Sequence, residues 1–590
     1  MGSLAQHLIM SGYVHVAQRQ IVRRPPVSIP VALQQATHPL LAPIFAARGV
    51  ERPEELEHEL KQLLPFTELS GIEAAVGLLT TALRQQQRIL IVGDYDADGA
   101  TSSALAVRAL RQLGAEQVDF LVPNRFRYGY GLTPAIVEVA LQRQPQLLIT
   151  VDNGIASVAG VASAAAAGVP VLITDHHLPP AELPAAAAIV NPNLPGDRFA
   201  SKALAGVGVI FYLMLALRAR LRDDGWFTNR TQPNMAQLLD LVALGTVADV
   251  VPLDHNNRIL VAQGLARIRA GECCVGISAL AAVAQRPLSQ MVSSDLGFAL
   301  GPRLNAAGRM DDMQIGIAAL VTDDPVEAHR LAQQLDALNR QRRAVEYSMQ
   351  EEAQQRLLQL LPSVSDTAEL PYGLCLFDAA WHEGVIGILA SRVKDQIQRP
   401  VIIFTRAEDG DLRGSARSIP QLHIRDVLEA VSSRYPGLIK RFGGHAMAAG
   451  LTIAATAFTT FEAAFDTEVR RWLQPADLRA ELLSDGVVDG AALDLPLAHQ
   501  VRSAVPWGQG FTEPLFDGEF EVVTQQLLQQ RHLRLTLRWA DGVTTSEAIW
   551  FGANTDLMTA PALHLAYRID VNHYRGNQRL QLRVEHATAS

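Results

Sequence analysis

Three short apolar runs, at 89–92, 147–151 and 171–173, each end in a cluster of acidic or histidine residues. The clusters are Asp94-Tyr95-Asp96-Ala97-Asp98-Gly99, Asp152-Asn153-Gly154 and Asp175-His176-His177. Runs this short, separated by helical stretches, predict parallel strands of an open α/β sheet. Such sheets bind ligands beyond the carboxyl ends of their strands. All three clusters are therefore expected to face one crevice.

Carboxylates crowded together repel one another and cannot all remain ionised without compensation. The usual compensation is a cation. Aspartate mixed with histidine, with no cysteine nearby in sequence, suits Mn²⁺ or Mg²⁺ better than a soft metal. The number of carboxylates points to two divalent cations. Two ions roughly 3.5–4 Å apart can clamp the attacking and leaving oxygens of a phosphoryl transfer. The plain alternative is that Asp94, Asp96 and Asp98 cap a turn and the helix after it. The two further clusters, both at strand ends, favour the metal reading.

These residues resemble the DHH phosphoesterase superfamily, whose name-giving triplet is Asp175-His176-His177. Gly245-Thr246-Val247-Ala248-Asp249-Val250-Val251-Pro252-Leu253 is similar to that family's last metal motif. Gly301-Pro302-Arg303-Leu304-Asn305-Ala306-Ala307-Gly308-Arg309 and the C-terminal half narrow the match to RecJ-type single-strand-specific exonucleases. The resemblance implies Asp94, Asp96, Asp98, Asp152, His176 and Asp249 as metal ligands, with Asp152 bridging both ions. His177 is expected to contact the scissile phosphate or a ligand instead of a metal. Asp175 is expected to orient a histidine from behind the ligands. The implied reaction is 5′-to-3′ hydrolysis of single-stranded DNA to mononucleotides by a metal-activated water, in DNA repair and recombination. The implied partners are single-stranded DNA with a 5′ phosphate, a DNA helicase and a single-stranded-DNA-binding protein.

A chain of 590 residues is too long for one core and predicts three to four domains. The expected order is an N-terminal appendage (1–64), the DHH catalytic domain (65–322) and a connecting helix (323–362). A smaller α/β DHH-associated domain (363–473) and an oligonucleotide-binding β-barrel (474–590) follow. The helix is expected from 326 to 361, where glycine and proline are absent, with Asp324-Pro325 as its start. Alternation at Leu533-Arg534-Leu535-Thr536-Leu537-Arg538-Trp539 and a turn at Asp541-Gly542 predict barrel strands. Such barrels hold single strands by a basic groove and aromatic stacking. Arg531, His532, Arg534, Trp550 and Phe551 could serve, although each aromatic alone reads better as barrel core.

A net charge of −9 excludes indiscriminate nucleic-acid binding, so any DNA path must be a local basic track. Cys273, Cys274 and Cys375 form neither a disulfide framework nor a zinc site. Residues 1–20 lack secretory-signal character, and no apolar stretch is long enough for a membrane. A bacterial cytoplasm is the expected compartment, with no membrane partner.

Three further segments are expected to hold the nucleic acid. The first contains Arg303 and Asn305 between Gly301 and Gly308, with Arg309 beside them. By itself it reads as a surface turn, and the resemblance favours a phosphate role, with glycines permitting close backbone approach and arginine forks matching phosphate oxygens. The second is Trp381-His382-Glu383-Gly384-Val385-Ile386-Gly387, leading into a helix N-terminus suited to an anion. It is read together with Arg413, Ser415, Arg417 and Ser418. The third is Gly443-Gly444-His445. The run Pro506-Trp507-Gly508-Gln509-Gly510-Phe511-Thr512-Glu513-Pro514 departs from the family, which places an Asn-Pro pair there. Two rival functions compete with the exonuclease reading. One is a DHH phosphoesterase acting on short oligonucleotides, cyclic dinucleotides or pyrophosphate; such relatives lack the terminal barrel. The other is an inactive binding subunit, which typically loses metal ligands that are all present here.

Overall fold

The computed structural model describes residues 19–590 except 124–127, 129, 361–370, 530–531, 554–556, 559 and 575–576. The chain forms two compact units. One comprises Val27–Arg340 and Gln500–Glu513, the other Gln341–His499 and Pro514–Ser590 with the segment ending at Pro26. The first strand, β1 (Gln20–Arg23), belongs to the latter unit.

The former unit is built on β2 (Ile89–Gly93), β3 (Val118–Leu121), β4 (Leu147–Val151), β5 (Val171–Thr174) and β6 (Ala188–Val190). Their order is β3-β2-β4-β5-β6 and every pair is parallel. β2 and β4 are buried at every position. Cover on both faces explains why these strands read as unbroken apolar runs rather than alternating ones. On one face Leu90, Val92, Leu148 and Ile173 pack with Ile136, Val137, Ala140 and Val161. Each such large side chain contributes about 1.5–3 kcal/mol on burial. The strand order reverses between β2 and β4. That reversal opens a crevice at their carboxyl ends, where Asp94 and Asp152 follow the strands.

The segment 301–309 is not a surface turn, the default reading of that stretch alone. It forms the helix Gly301–Met310, which continues from a π turn at Leu296–Leu300. Pro302 lies in its first turn, where a missing N–H costs nothing. Gly308 serves close approach: a Cβ there would overlap the Tyr95 carbonyl oxygen. The long helix runs Pro325–Leu360, with Asp324 Oδ1 accepting from Val326 N at 2.9 Å. It passes from one unit to the other after Arg340. The expected break after it lies mostly outside the described residues.

In the second unit β7 (Leu374–Phe377), β8 (Val401–Arg406), β9 (Leu412–Arg417), β10 (Arg441–Gly444) and β11 (Ala448–Ile453) form one sheet, ordered β10-β11-β9-β8-β7. β12 (Glu481–Ser484) pairs in parallel with β1. The N-terminal appendage therefore does not pack on the catalytic unit as one piece. Arg23 explains the division, since it donates to buried Asp517 at 2.8 Å. Ser484 and His564 also bond that carboxylate, at 2.5 and 3.1 Å. Burial alone would raise its pKa, but these partners hold it at about 2.

β13 (Phe516–Leu528), β14 (His532–Arg538), β15 (Thr545–Phe551), β16 (Ala562–Tyr574) and β17 (Asn577–Ala589) close into a barrel. Trp550 is barrel core, whereas Phe551 is 60% exposed and meets His532 edge-on. The core expectation thus holds for one aromatic and fails for its neighbour, because successive strand residues face opposite sides. Arg534 is paired with Glu547 at 2.9 Å, and Arg531 lies outside the described residues.

Candidate metal centre and phosphate-binding face

Beyond β2, the Asp94 carboxylate accepts from Tyr95 N at 2.7 Å. Asp96 caps the helix Ala97–Gln112 by accepting from Gly99 N at 3.0 Å. The plain capping reading therefore holds for Asp96 without removing it from the cluster. Asp98 is 1% exposed, and its two oxygens accept from Gly206 N at 2.7 Å and Val207 N at 2.9 Å. Those amides open the helix Gly206–Asp223, where unpaired N–H groups and the helix dipole favour an anion. Asn305 contributes here in a way its sequence context did not reveal. Its Oδ1 accepts from Ala97 N at 2.7 Å and so pins the acidic loop.

Beyond β4, Asp152 has a left-handed backbone with φ +60°. Asn153 ties the ends of β2 and β4 together, donating to Val92 O at 3.0 Å and Val151 O at 2.8 Å. Gly206 must lack a side chain, since a Cβ would lie 2.7 Å from Asp152 Cβ. Beyond β5, Asp175 accepts from His176 N (2.8 Å), His177 N (3.1 Å), Ile155 N (2.9 Å) and His177 Nδ1 (2.7 Å). It is saturated by these partners and orients His177. Asp249 caps the C-terminus of the helix Leu239–Ala248.

These elements converge. His176 Nε2 lies 3.1 Å from Asp152 Oδ1, 3.6 Å from Asp249 Oδ2 and 3.9 Å from Asp98 Oδ2. Among the described residues three groups hold ligand atoms within 4.8 Å of one another: Asp152-His176-His177, Asp98-His176-Asp249 and Asp94-Asp96-Asp152. Asp152 belongs to two of them and so joins the histidines to the acidic loop. Its Oδ1 is buried and, among the described residues, accepts no well-aligned hydrogen bond, with His176 Nε2 3.1 Å away. A buried carboxylate oxygen without a donor is costly unless a cation takes that place. Oxygen and imidazole donors in this arrangement fit Mn²⁺ or Mg²⁺.

The electrostatics agree. Burial, then the charges of Asp249 and Asp96, raise the Asp98 pKa well above the ordinary carboxylate range. Burial and the charges of Asp98, Asp96, Asp94 and Asp249 do the same to Asp152. Asp249 is pushed up to about 7 by burial and Asp96. Carboxylates with raised folded-state pKa values stabilise the cation-free fold below their unfolded values. That contribution is lost as pH rises through the folded values. Metal binding requires the deprotonated forms. The rise in melting temperature produced by Mn²⁺ should therefore grow between about pH 5 and about pH 8, the window spanning the raised value of Asp249. A thermal-shift series checks this, and a rise independent of pH would contradict the raised pKa values.

Tyr130 was not singled out by sequence. Its hydroxyl is 3.4 Å from Asp152 O and 3.4 Å from His177 Nδ1, and its ring meets Tyr95 edge-on at 6.0 Å. The available signal was position, since Tyr130 follows β3 and so falls at the same end of the sheet. Arg303 is already engaged, by Asp336 at 2.8 Å and Ala299 O at 2.7 Å. Arg309 lies in the last turn of the helix Gly301–Met310.

In the other unit, alternation along β9 buries Leu412, Gly414 and Ala416 and turns Arg413, Ser415 and Arg417 to one face. That face meets the start of the helix Ile386–Ile397: a Cβ on Gly387 would lie 2.8 Å from Arg417 Nη2 and 3.0 Å from Ser415 Oγ. Ser415 is in register with Gly450, and Gly450 with Gly443, so two residues without side chains continue the row. Gly444 ends β10, and His445 N closes the hairpin on Ala448 O at 2.8 Å. Arg413 pairs with Glu383 at 3.3 Å. His382 Nδ1 accepts from Gly384 N at 3.1 Å within its turn. Ser418 stands apart: it is buried and donates to Leu422 O at 2.7 Å.

Known proteins match this arrangement. The model of the DHH family N-terminal domain matches residues 88–246, that of the DHHA1 domain 370–471 and that of the RecJ OB domain 484–586. The single-stranded-DNA-specific exonuclease RecJ of Escherichia coli is 52% identical over 569 residues, covering 96% of this chain and 98% of that protein. RecJ of Thermus thermophilus is 33% identical over 90% of this chain and 72% of that protein. The crystal structure of the Thermus thermophilus RecJ with Mn²⁺ superimposes with a TM-score of 0.79 at 30% identity, covering 97% of this chain and 79% of that one. The Mg²⁺ complex of the same protein gives 0.73 at 29% identity, covering 97% and 78%. Among the described residues no single helix is long and apolar enough to cross a membrane.

Proposed function

Since the chain belongs to the RecJ family of single-stranded-DNA-specific exonucleases, we infer that it degrades single-stranded DNA from the 5′ end and releases mononucleotides. It is a metal-dependent exonuclease specific for single-stranded DNA. The observation that carries the reading is the buried cluster around Asp152, whose Oδ1 lacks a well-aligned donor among the described residues beside His176. Asp94, Asp96, Asp98, Asp152, His176 and Asp249 would hold two divalent cations. When bound, these activate water and stabilise charge on the phosphate undergoing hydrolysis. Asp98 is preorganised by Gly206 N and Val207 N, so it need not reorient to serve as a ligand. Asp175 fixes the His177 ring, which burial alone would tend to neutralise. In the cation-free protein the Asp175 hydrogen bond and nearby carboxylates instead raise His177 to about 9, and the bond to Asp175 holds its ring in place beside the cluster.

Arg413, Ser415 and Arg417, with the amides at the helix start near Gly387, are read as the receptor for the 5′ phosphate. The side-chain-free row at Gly443 and Gly450 supports this by letting a nucleic-acid backbone approach. His382, Gly444 and His445 would border that path. Ser418, Asn305 and Arg303 support the site through their own contacts rather than by touching phosphate. The barrel would hold downstream single strand, with exposed Phe551 as a stacking surface. A helicase supplying unwound strand and a single-stranded-DNA-binding protein are the proposed partners, in repair and recombination in a bacterial cytoplasm. The limits 65–322, 323–362 and 363–473 are proposed as functional boundaries, whereas 1–64 and 474–590 are divided between the two compact units.

The test uses a 3′-labelled oligonucleotide with a 5′ phosphate and Mn²⁺, beside its duplex and a 5′-hydroxyl strand. The single strand should shorten from its 5′ end while the duplex persists. Arg417→Ala should cut the preference for the 5′ phosphate by about 10–100-fold, as expected for a charge-assisted contact. Hydrolysis of a cyclic dinucleotide or pyrophosphate with the strand left intact would overturn the substrate assignment and retain the metal centre.

A further inference from the structure

Seven non-glycine residues among those described have a left-handed backbone, and five of them are glutamines. The other two are at the metal cluster: Asp152 (φ +60°) and Val250 (φ +65°). A β-branched residue is poorly suited to this region, because its Cβ substituents crowd the backbone. Val250 is also 62% exposed, so burial of its side chain does not compensate. Its conformation must be imposed by its surroundings. It directly follows Asp249, which ends its helix with ordinary right-handed angles, so the turn holds the backbone immediately after that carboxylate and keeps the helix end from fraying.

The turn is held at both ends. On the helix side Asp249 N donates to Gly245 O at 2.9 Å and Val250 N to Val247 O at 3.3 Å. On the far side Asn257 Nδ2 donates to Pro252 O at 2.9 Å, and Arg258 Nη1 to Leu253 O at 3.0 Å. Leu253 N donates to Gln509 O at 2.7 Å. Gln509 comes from the glycine-rich run that precedes the barrel in sequence. That run is firmly seated. Trp507 stacks on Phe45 at 5.9 Å and on Phe511 at 5.6 Å, and its carbonyl accepts from Ser293 Oγ at 2.6 Å. Phe511 lies 4.2 Å beneath the same Arg258 guanidinium that holds Leu253 O. Gly508 abuts Leu253, where a Cβ would come within 2.6 Å of Cδ1.

We propose that the segment 507–511 is a positioning element of the metal centre: it latches the strained turn at Val250 and thereby aims Asp249 at the cations. The proposal rests on Asp249 being a metal ligand. It assigns to the glycine-rich run a role in metal affinity rather than in the barrel it precedes.

Isothermal titration calorimetry of the full-length protein with Mn²⁺ tests this. Gly508→Val and Phe511→Ala should each raise the Mn²⁺ Kd by about tenfold, the lower range for groups that orient a ligand without being one. The Mn²⁺ midpoint for activity should shift in parallel, with the KM for single-stranded DNA unchanged. Leu280→Ala, a core truncation in the helix Val275–Val283 that carries no ligand, should lower the melting temperature and leave the Kd unchanged. In the Gly508→Val background, Val250→Asn should recover affinity, because asparagine tolerates left-handed angles and needs less restraint. A parental Kd in both latch variants, an equal rise in Leu280→Ala, or no recovery with Val250→Asn would overturn the proposal. If Asp249→Ala binds Mn²⁺ like the parent, the ligand assignment has failed and the latch has nothing to aim.

Discussion

Asp152→Asn is expected to lower the turnover of single-stranded DNA by at least about 10³-fold, or about 4 kcal/mol of barrier, because Asp152 joins the two sides of the ligand cluster. Asparagine is the informative replacement, since it keeps both the shape and the tolerance for φ +60°. Stability should move in the opposite direction. Without metal, this carboxylate is buried beside Asp94, Asp96, Asp98 and Asp249, so removing its charge relieves repulsion. The cation-free variant should melt about 2–4 °C above the parent at about pH 8 for each ~1 kcal/mol relieved. Mn²⁺ should add little further stability. Activity assays and thermal shift with and without Mn²⁺ check the pair of results. A variant that loses activity but also loses cation-free stability would mean that Asp152 is structural.

Gly308→Ala is expected to cost about 10²-fold in activity although residue 308 touches no metal. Within an ordinary helix the change would stabilise by about 1 kcal/mol. Here a Cβ would overlap the Tyr95 carbonyl oxygen, in the loop carrying Asp94, Asp96 and Asp98. The neighbour is backbone, so the loop must move. A displacement of about 1 Å in a catalytic constellation can cost this much rate. The overpacking should also reverse the usual sign and destabilise by about 1–3 kcal/mol. Denaturant unfolding and steady-state kinetics report the two effects independently. A more stable, fully active Gly308→Ala would show that the helix can withdraw from the loop.

Local pattern carried the sheet. Continuous apolar runs identify strands covered on both faces, and polar clusters after them mark the carboxyl ends. Residue type alone singled out Arg413, Ser415, Arg417 and Ser418, and the alternation of β9 turns the first three to one face. Ser418 does not share that face: the strand has ended there and its hydroxyl turns inward to Leu422 O. Local pattern left a surface turn as the default for 301–309, because glycine spacing does not distinguish a bend from a helix pressed against another backbone.

By itself the sequence determined the open parallel sheet, the strand-end aspartates and histidines, and the barrel strands. Each follows from neighbours along the chain, through strand period, turn chemistry and charge. Only the tertiary structure decided that Asp175 is saturated by four donors, that Asn305 pins Ala97 N, and that Arg303 belongs to Asp336. It alone brought Tyr130 to His177 and Gln509 to Leu253. Most of these contacts join residues far apart in sequence. They exist because burial of the core closes long loops, and the pairing that results is set by packing rather than by local preference.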